Sequence, residues 1–293
     1  MVTAGAVVFR PPQPPKVMAI LSESKSVDGG HWYRPDGTPC HQLPKKDGSG
    51  LKDTTLADAK KLLLLPSVTG YTGILDKPAL LNWKATQVAI AAFNTPPKGD
   101  ETIEYFCERV IGASKAPVAA AADLGSKVHD ALEKLLMEGP SAVPEDMWAY
   151  VAPVMEWKKN NKITYDEIET TLVNLEYGYA GRCDVLARDA NGTRMVIDYK
   201  TRKTKPKQKV GPYDTQGMQL AAYAVAKWGE DELHTIHGYN VYISTTEVGR
   251  VEPYRHDSLV PHWEAFKAAC ILWRHVKGYD PRQPAFSTLK EAA

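Results

Sequence analysis

The chain has 293 residues, enough to bury a sizeable core as one large domain or two small ones. Its 36 basic and 35 acidic residues leave a formal charge of +1, so a nucleic-acid partner would need locally concentrated positive charge. Four scattered cysteines without a C-x-x-C pair argue against a zinc ribbon or disulfide framework and suit a reducing cytoplasm. No apolar run approaches the roughly 20 residues of a membrane span, and no secretion signal opens the chain. We therefore expect a cytoplasmic protein without membrane association.

The first half of the chain predicts an N-terminal hairpin and a helical extension. "HWYRPDGTPCHQL" at 31–43 places turn residues between two strand-like arms, and the stretch 44–53, rich in lysine and glycine, is typical of a solvent loop. Thr55 stands where it would cap a helix over 54–65. Helical spacing then recurs in three segments, at 76–93, 121–139 and 144–161.

The second half changes from helical to strand-like periodicity. Strand patterns cover four segments, at 166–177, 178–189, 193–201 and 234–247. Helical patterns cover 214–229, between the third and fourth strands, and 261–278 after them. A meander followed by a helical crossover predicts an α/β fold with a mixed central β-sheet flanked by helices.

Two acids and a lysine interrupt the predicted strands within the stretch "GRCDVLARDANGTRMVIDYKTRK". Asp184 and Asp198 fall on neighbouring strands, and Lys200 shares the face of Asp198 because it lies two residues further on. Two carboxylates can share Mg²⁺ or Mn²⁺, which polarises a phosphate and lowers the pKa of a bound water. Lys200 would position that water or offset charge on the phosphorane. Phosphodiester hydrolysis fits this set, and surface ion pairs on an exposed sheet face are the alternative.

The motifs resemble the PD-(D/E)XK nuclease superfamily, and within it the RecB-like exonuclease branch. "GRCD" matches the first acid, with Cys183 in place of the proline of the family's name, and "IDYKT" matches the second acid and the lysine. "QGMQLAAYA" looks like the branch's Q-x-x-x-Y helix through Gln219 and Tyr223. "LGSKVHDALE" looks like the upstream helix with a metal-binding histidine, here His129. The resemblance implies a restriction-endonuclease-like core.

The same resemblance implies the roles of the site residues. Mg²⁺ or Mn²⁺ would be held by His129, Asp184, Asp198 and the backbone carbonyl of Tyr199. Catalysis would use five residues: Asp184, Asp198, Lys200, Gln219 and Tyr223. Some alternatives stay open. His129 is a packing residue if it binds no metal, Glu169 either supports the site or is a strand-edge charge, and Gln219 and Tyr223 either hold Lys200 and a phosphate or pack the helix on the sheet.

Two segments are candidates for DNA binding. The basic run "RKTKPKQK" directly follows Lys200, and Arg202, Lys203 and Lys205 would contact the DNA backbone unless the run is simply a solvated loop. The tract 66–84 resembles a segment of related phage nucleases and of the mitochondrial genome-maintenance exonuclease, in which Thr69 and Tyr71 would touch nucleic acid.

The resemblance also implies a domain plan and excludes one cofactor. Residues 1–122 would form an N-terminal extension that walls a DNA channel, and residues 123–293 the nuclease core. The iron–sulfur members of this branch carry three closely spaced cysteines near the C-terminus, whereas only Cys270 follows the predicted core here. We therefore expect no iron–sulfur cluster.

A metal-dependent DNA exonuclease is the expected function, encoded by a phage or bacterium and active in recombination, repair or replication. Its substrate would be DNA that is single-stranded or has a free end, in the bacterial or phage-infected host cytoplasm, with a recombination or annealing protein as a possible partner. A structure-specific endonuclease on the same fold, or a non-catalytic DNA-binding subunit, are the alternatives.

Overall fold

The computed structural model describes residues 30–282, which begin with short paired strands. The first elements in chain order are β1 (Trp32–Tyr33), β2 (Gln42–Pro44), β3 (Leu51–Asp53), α1 (Leu56–Leu62), β4 (Leu65–Pro66) and α2 (Val68–Thr72). The predicted cap of α1 is confirmed, because the Thr55 side chain accepts from the backbone N–H of Asp58 while the Asp58 carboxylate accepts from that of Thr55. Residues 1–29 and 283–293, parts of the predicted extension and core, lie outside the described residues.

The hairpin predicted over 31–43 is found in a modified form. Its turn closes as expected, with the Cys40 N–H donating to the Trp32 carbonyl at 2.8 Å. However, β1 pairs with β4, and β2 pairs antiparallel with β3. The exposed loop predicted over 44–53 is therefore confined to residues 45–50, because the two ends of that stretch belong to β2 and β3. Gly48 and Gly50 adopt positive φ angles, which lets the chain reverse between β2 and β3.

Three helices follow, and the second is much longer than the sequence pattern indicated. They are α3 (Pro78–Asn94), α4 (Ile103–Met137) and α5 (Glu145–Asn160). The pattern placed the start of α4 at residue 121, but Thr102 caps the helix 19 residues earlier by accepting from the backbone N–H of Tyr105. Gly112 and Pro117 disfavour a helix locally, and for this reason the sequence pattern did not predict the first half of α4. The division expected between residues 122 and 123 falls inside α4.

A mixed sheet forms the centre of the described chain. Its strands lie in sequence order: β5 (Thr164–Asn174), β6 (Tyr179–Arg188), β7 (Arg194–Arg202), β8 (His237–Ser244) and β9 (Val251–Arg255). Helix α6 (Asp214–Trp228) makes the crossover from β7 to the parallel strand β8, while the other neighbours are antiparallel. Helix α7 (Val260–Lys277) ends the described elements. The predicted α/β fold is confirmed, with β9 as an additional edge strand.

Helices cover both faces of this sheet. On one face α6, α7 and α2 pack through buried residues such as Leu220, Phe266 and Val68. On the other face α4 and α5 pack through residues such as Val128 and Val151. Alternation along β7 places Val196 against the first group and Ile197 against the second. Strand β7 therefore has an apolar environment on both sides, and any charged residue within its buried part needs a partner.

Candidate active site

The two predicted acids lie where strands β6 and β7 separate. The backbone pairing between these strands reaches Val185 and Ile197 and goes no further toward Asp184. Beyond that point the Asp184 carboxylate accepts a hydrogen bond from the backbone N–H of Tyr199 at 2.7 Å. A strand residue directs its N–H and C=O to the same side, so the Tyr199 carbonyl also faces the gap between the strands. The gap thus brings together two of the predicted metal ligands.

Asp198 is completely buried, and both of its oxygens have partners. Its Oδ1 accepts from Lys200 Nζ at 2.7 Å, and its Oδ2 accepts from Asn240 Nδ2 at 2.9 Å. Burial of a carboxylate is costly unless its oxygens are hydrogen-bonded and its charge is paired. The lysine and the asparagine meet both conditions. Sequence reasoning missed Asn240, whose signal was a lone amide within the apolar strand "YNVYIS".

The charges of the acid pair and the lysine act on one another. Burial alone would lower the pKa of Lys200, but the carboxylates of Asp198 and Asp184 outweigh it and raise that pKa. Burial, and then the negative charge of Asp198, raise the pKa of Asp184 above its ordinary value. Ionisation of both carboxylates would leave one negative charge that Lys200 does not balance, and a bound cation would compensate it.

His129 reaches the same place from helix α4. Gly125, one turn earlier, lets the helix lie against β7, since a Cβ at Gly125 would be 2.9 Å from Thr201 Oγ1. Burial, and then the charge of Lys200, lower the pKa of His129, while a hydrogen bond to the Tyr199 backbone opposes this. The imidazole is therefore neutral near pH 7, the form that binds metals.

Glu169 lies beside the acid pair on β5. The register of β5 against β6 puts it opposite Asp184, and its φ of 51° is rare for a residue other than glycine. Its carboxylate makes an ion pair with Arg182 at 2.6 Å, and Arg182 also binds Glu133 of α4. Burial raises the pKa of Glu169, to which Asp198 and Glu133 add. Arg182 thereby ties β6 to both β5 and α4 at the edge of the site.

Helix α6 brings Gln219 and Tyr223 to the other side of the acids. Gln219 Nε2 donates to the Tyr223 hydroxyl at 3.1 Å. Burial raises the pKa of Tyr223, and the nearby carboxylates of Asp198 and Asp184 raise it further, so the hydroxyl is a hydrogen-bond donor. A Cβ at Gly181 would be 2.8 Å from the Tyr223 ring, so glycine in the "GRCD" motif allows this approach.

Gln216, one turn before Gln219, makes its hydrogen bonds to Tyr242 and Tyr213. Its Oε1 accepts from the Tyr242 hydroxyl at 2.6 Å and from the backbone N–H of Tyr213 at 2.9 Å. It therefore caps the start of α6 and fastens that helix to β8.

The donor set fits a hard divalent cation by its chemistry. Carboxylates, a backbone carbonyl and one imidazole are ligands that Mg²⁺ and Mn²⁺ accept. Within residues 30–282 no three His, Cys, Asp or Glu side chains are already grouped at metal-binding distances. The oxygens of Asp198 and Asp184 instead accept from Lys200, Asn240 and the Tyr199 backbone. Binding of a cation would therefore rearrange hydrogen bonds that these groups make in its absence.

The basic segment after β7 is a braced loop with outward-facing lysines. Lys203 and Lys205 are exposed. Arg202 is half-buried, lies over the Tyr213 ring at 4.5 Å and donates to the Gly211 carbonyl. Arg202 thus helps to hold the loop, while the side chains of the two lysines face solvent.

The two residues of α2 that were predicted to contact DNA differ in their exposure to solvent. Thr69 is exposed, whereas Tyr71 is fully buried and donates to the Gly178 carbonyl at 3.1 Å. Its ring packs edge-on against Phe266 and Trp273. Tyr71 therefore has no ring face available to stack on a base, and it fastens α2 to the turn before β6.

The arrangement of acids, lysine and α6 has a counterpart among known protein families. Residues 145–264 match the family model of the PD-(D/E)XK nuclease superfamily. The matched segment contains Asp184, Asp198, Lys200 and the Gln219–Tyr223 pair, and it ends in α7. The members of that superfamily are nucleases, and PD-(D/E)XK nucleases generally use divalent metals such as Mg²⁺. It agrees with the restriction-endonuclease-like core expected from the sequence.

Other comparisons add no argument about function. No curated protein matches the chain. A solved structure titled "Crystal structure of SSO0001" is 17% identical, with 70% of this chain and 89% of that chain covered and a TM-score of 0.31. None of the helices in the described part of the chain is both long enough and apolar enough to cross a bilayer.

Proposed function

We propose that this protein is a Mg²⁺- or Mn²⁺-dependent exonuclease that hydrolyses phosphodiester bonds from DNA ends. The main support is that four side chains lie together at the gap between β6 and β7: Asp184, Asp198, Lys200 and His129. These residues come from three elements, β6, β7 and α4. Burial of several ionisable side chains at one place is costly, so a shared ligand accounts for their position. The match to PD-(D/E)XK nucleases over residues 145–264 supports the same chemistry.

The proposed reaction assigns a task to each residue. Asp184, Asp198, the Tyr199 carbonyl and the neutral imidazole of His129 would hold the cation. A cation there polarises the scissile phosphate and lowers the pKa of a bound water. Lys200, whose raised pKa keeps it charged, would orient the attacking water and stabilise the negative charge that develops on the phosphate.

Gln219 and Tyr223 would act on the substrate side of the acids. Gln219 is half-buried and would contact a phosphate oxygen, while the buried Tyr223, whose hydroxyl accepts from Gln219 at 3.1 Å, would fix its position. The exposed lysines 203 and 205 would bind the DNA backbone as it enters.

Substitution of the buried acid tests this assignment. Asp198→Asn keeps the shape of the side chain but removes its charge, so we expect loss of cleavage of end-labelled DNA while DNA binding stays within a fewfold of the wild-type affinity. Lys200→Met should behave alike, and EDTA should stop the wild-type protein. Asp166→Asn, a change at a surface ion pair with Arg188, is the matched control and should cleave normally. Undiminished cleavage by Asp198→Asn, or by wild type in EDTA, would refute the proposal.

The biological setting remains part of the proposal. We propose a role in recombination, repair or replication of a phage or bacterium, in the cytoplasm of the bacterial or infected cell, with a recombination or annealing protein as partner. We also expect no iron–sulfur cluster, and the ultraviolet–visible spectrum of anaerobically purified protein tests this. Cleavage within closed DNA would favour the alternative function, a structure-specific endonuclease.

A further inference from the structure

A row of hydrogen-bonded side chains extends from Asp198 to helix α7. Asn240 Nδ2 donates to Asp198 Oδ2 at 2.9 Å, and Asn240 Oδ1 lies 2.8 Å from His256 Nε2. His256 Nδ1 in turn lies 3.1 Å from His262 Nε2. Asn240 and His256 are buried, and His262 is half-buried at the start of α7. The reaction outlined above uses none of these three residues.

The donors and acceptors of these groups allow hydrogen-bond donation along the row in one direction only, from His262 toward Asp198. The Asp198 carboxylate only accepts, so Asn240 must present its NH₂ group to it and its carbonyl oxygen to His256. That oxygen requires an N–H at His256 Nε2, which leaves Nδ1 of the neutral ring as an acceptor for His262 Nε2–H. Burial, with a further contribution from His262, lowers the pKa of His256 to about 4, so the ring is neutral at pH 7. Each side chain therefore fixes the orientation of the next.

Packing holds the outer end of the row in place. A Cβ at Gly217 would lie 2.5 Å from atoms of the His262 ring, so the backbone of α6 lies directly against it. The backbone N–H of His256 donates to the Gly238 carbonyl of β8 at 2.9 Å, and the His256 ring meets that of His262 nearly at a right angle. The His262 ring therefore cannot turn without displacing α6, while the backbone of His256 is fixed on β8. The row thus connects the site to three elements of the core.

We propose that Asn240 is a positioning residue for Asp198, and that His256 and His262 fix the orientation of its amide. This inference rests on the proposed function, in which Asp198 binds the cation. Lys200 and Asn240 engage opposite oxygens of Asp198 and so set the plane of its carboxylate. Partners behind a ligand orient it, and their loss typically weakens metal binding by about 10- to 100-fold.

The test compares two substitutions of His256 that differ in one donor. The amide of His256→Gln can still donate to Asn240 Oδ1 in place of Nε2–H, whereas His256→Leu has no donor. We expect His256→Leu to weaken Mn²⁺ binding in titration calorimetry about tenfold, and His256→Gln to retain most of the affinity. His234→Leu, at an exposed histidine remote from the row, is the control and should bind Mn²⁺ normally.

Kinetics separate positioning from a merely structural role. His256→Leu should lower kcat at limiting Mn²⁺ with an unchanged KM for DNA, and excess Mn²⁺ should restore kcat. A residue that only packs would lower the melting temperature and leave the Mn²⁺ affinity intact. If His256→Leu does not fold, His262→Phe makes the same comparison, because it keeps a ring at that place and removes the donor to His256.

The outcomes distinguish this inference from the proposed function. Wild-type protein that binds no Mn²⁺ would overturn both. Wild-type binding of Mn²⁺ together with unchanged affinity in His256→Leu, or in a folded His262→Phe, would overturn the inference alone. Equal weakening by His256→Leu and His256→Gln would also overturn it, because the donor would then not be what matters.

Discussion

Asp184 and Asp198 lie close together but have different surroundings. Asp198 has Lys200 and Asn240 as partners on its two oxygens, while Asp184 accepts from the neutral backbone N–H of Tyr199. Asp184 therefore has less compensation for its charge, and its burial and the charge of Asp198 raise its pKa. A carboxylate in this position lowers the stability of the metal-free protein at neutral pH. Stability lost in this way is typical of functional sites.

Neutralising Asp184 should make the metal-free protein more stable while it abolishes cleavage. Asp184→Asn keeps an oxygen for the Tyr199 N–H but removes the charge that Asp198 opposes. In EDTA at pH 7.5 we expect the free energy of unfolding to rise by at least about 1 kcal/mol, measured by urea denaturation.

The pH dependence of this difference has a defined sign. A carboxylate with a raised pKa binds more protons in the folded than in the unfolded state between its two pKa values, so it gives stability as the pH falls through the raised pKa. The advantage of Asp184→Asn over wild type should therefore shrink from alkaline pH toward about pH 4. An advantage that grows on acidification would show that the charge of Asp184 is not the cause.

At the scale of elements, helix α4 positions His129 because one of its glycines allows close packing. Gly125 faces Thr201 of β7, with a Cβ at that position only 2.9 Å from Thr201 Oγ1. Gly112 lies on the same helix, is exposed and has open space where a Cβ would be. The two glycines therefore differ in packing but share the same helical backbone.

Alanine at these two glycines should have different consequences for stability and for Mn²⁺ binding. Gly112→Ala should raise the stability by about 1 kcal/mol through helix propensity alone. Gly125→Ala gains the same propensity, but its Cβ pushes α4 from β7, so we expect less stabilisation and weaker Mn²⁺ binding in calorimetry. Thr201→Ala in the same chain should restore binding by removing the obstructing oxygen. Identical behaviour of the two single variants would contradict the proposed role of Gly125.

The loop after β7 is held by Arg250 of the segment before β9. Its guanidinium donates to the carbonyls of Lys205 at 2.9 Å and Gln208 at 2.6 Å. The backbone is thus fixed while the lysine side chains remain exposed. Such a loop presents charge to a phosphate backbone without a large ordering cost.

Removal of one loop lysine should change the salt dependence of DNA binding. For Lys205→Ala we expect the slope of log affinity against log salt concentration to fall in magnitude by about 1, with similar losses for all DNA sequences. Lys227→Ala, which removes a lysine paired with Glu167, is the control and should leave the slope unchanged. An unchanged slope for Lys205→Ala as well would exclude this loop from the DNA interface.

At the scale of the whole molecule, we propose that the N-terminal helices and the basic loop enclose a channel for a DNA end. Helix α4 passes the site at His129, and α3 packs along the earlier part of α4. The loop at residues 203–209 lies at the end of β7, next to Lys200. A wall on one side and the loop on the other would admit a single-stranded end and exclude a closed circle.

Circular and linear forms of one single-stranded DNA test this geometry. With Mn²⁺ we expect the linear form to be degraded and the circle of the same sequence to survive, as measured on a denaturing gel. Asp198→Asn should leave both intact and thereby control for a contaminating nuclease. Rapid nicking of the circle would reject the channel and favour an endonuclease.

The sequence by itself determined the order of most elements and the faces on which several polar side chains lie. Alternation along "MVIDYK" and helical spacing in "QGMQLAAYA" depend on neighbouring residues, so the faces of Asp198, Lys200, Gln219 and Tyr223 could be predicted from local pattern. The mixed sheet followed from the order of strands and helices. The first half of α4 was missed because Gly112 and Pro117 weaken its local helix propensity, whereas the cap at Thr102 starts the helix well before them.

Only the tertiary structure decided which partners those residues meet. The end of the β6–β7 pairing at Asp184, the pairing of β2 with β3 and the burial of Tyr71 all depend on contacts between residues distant in sequence. Asn240 lies 42 residues from Asp198, yet the parallel register of β7 and β8 sets the two side by side. Local periodicity fixes which way a side chain points, but strand register and helix packing determine what it touches.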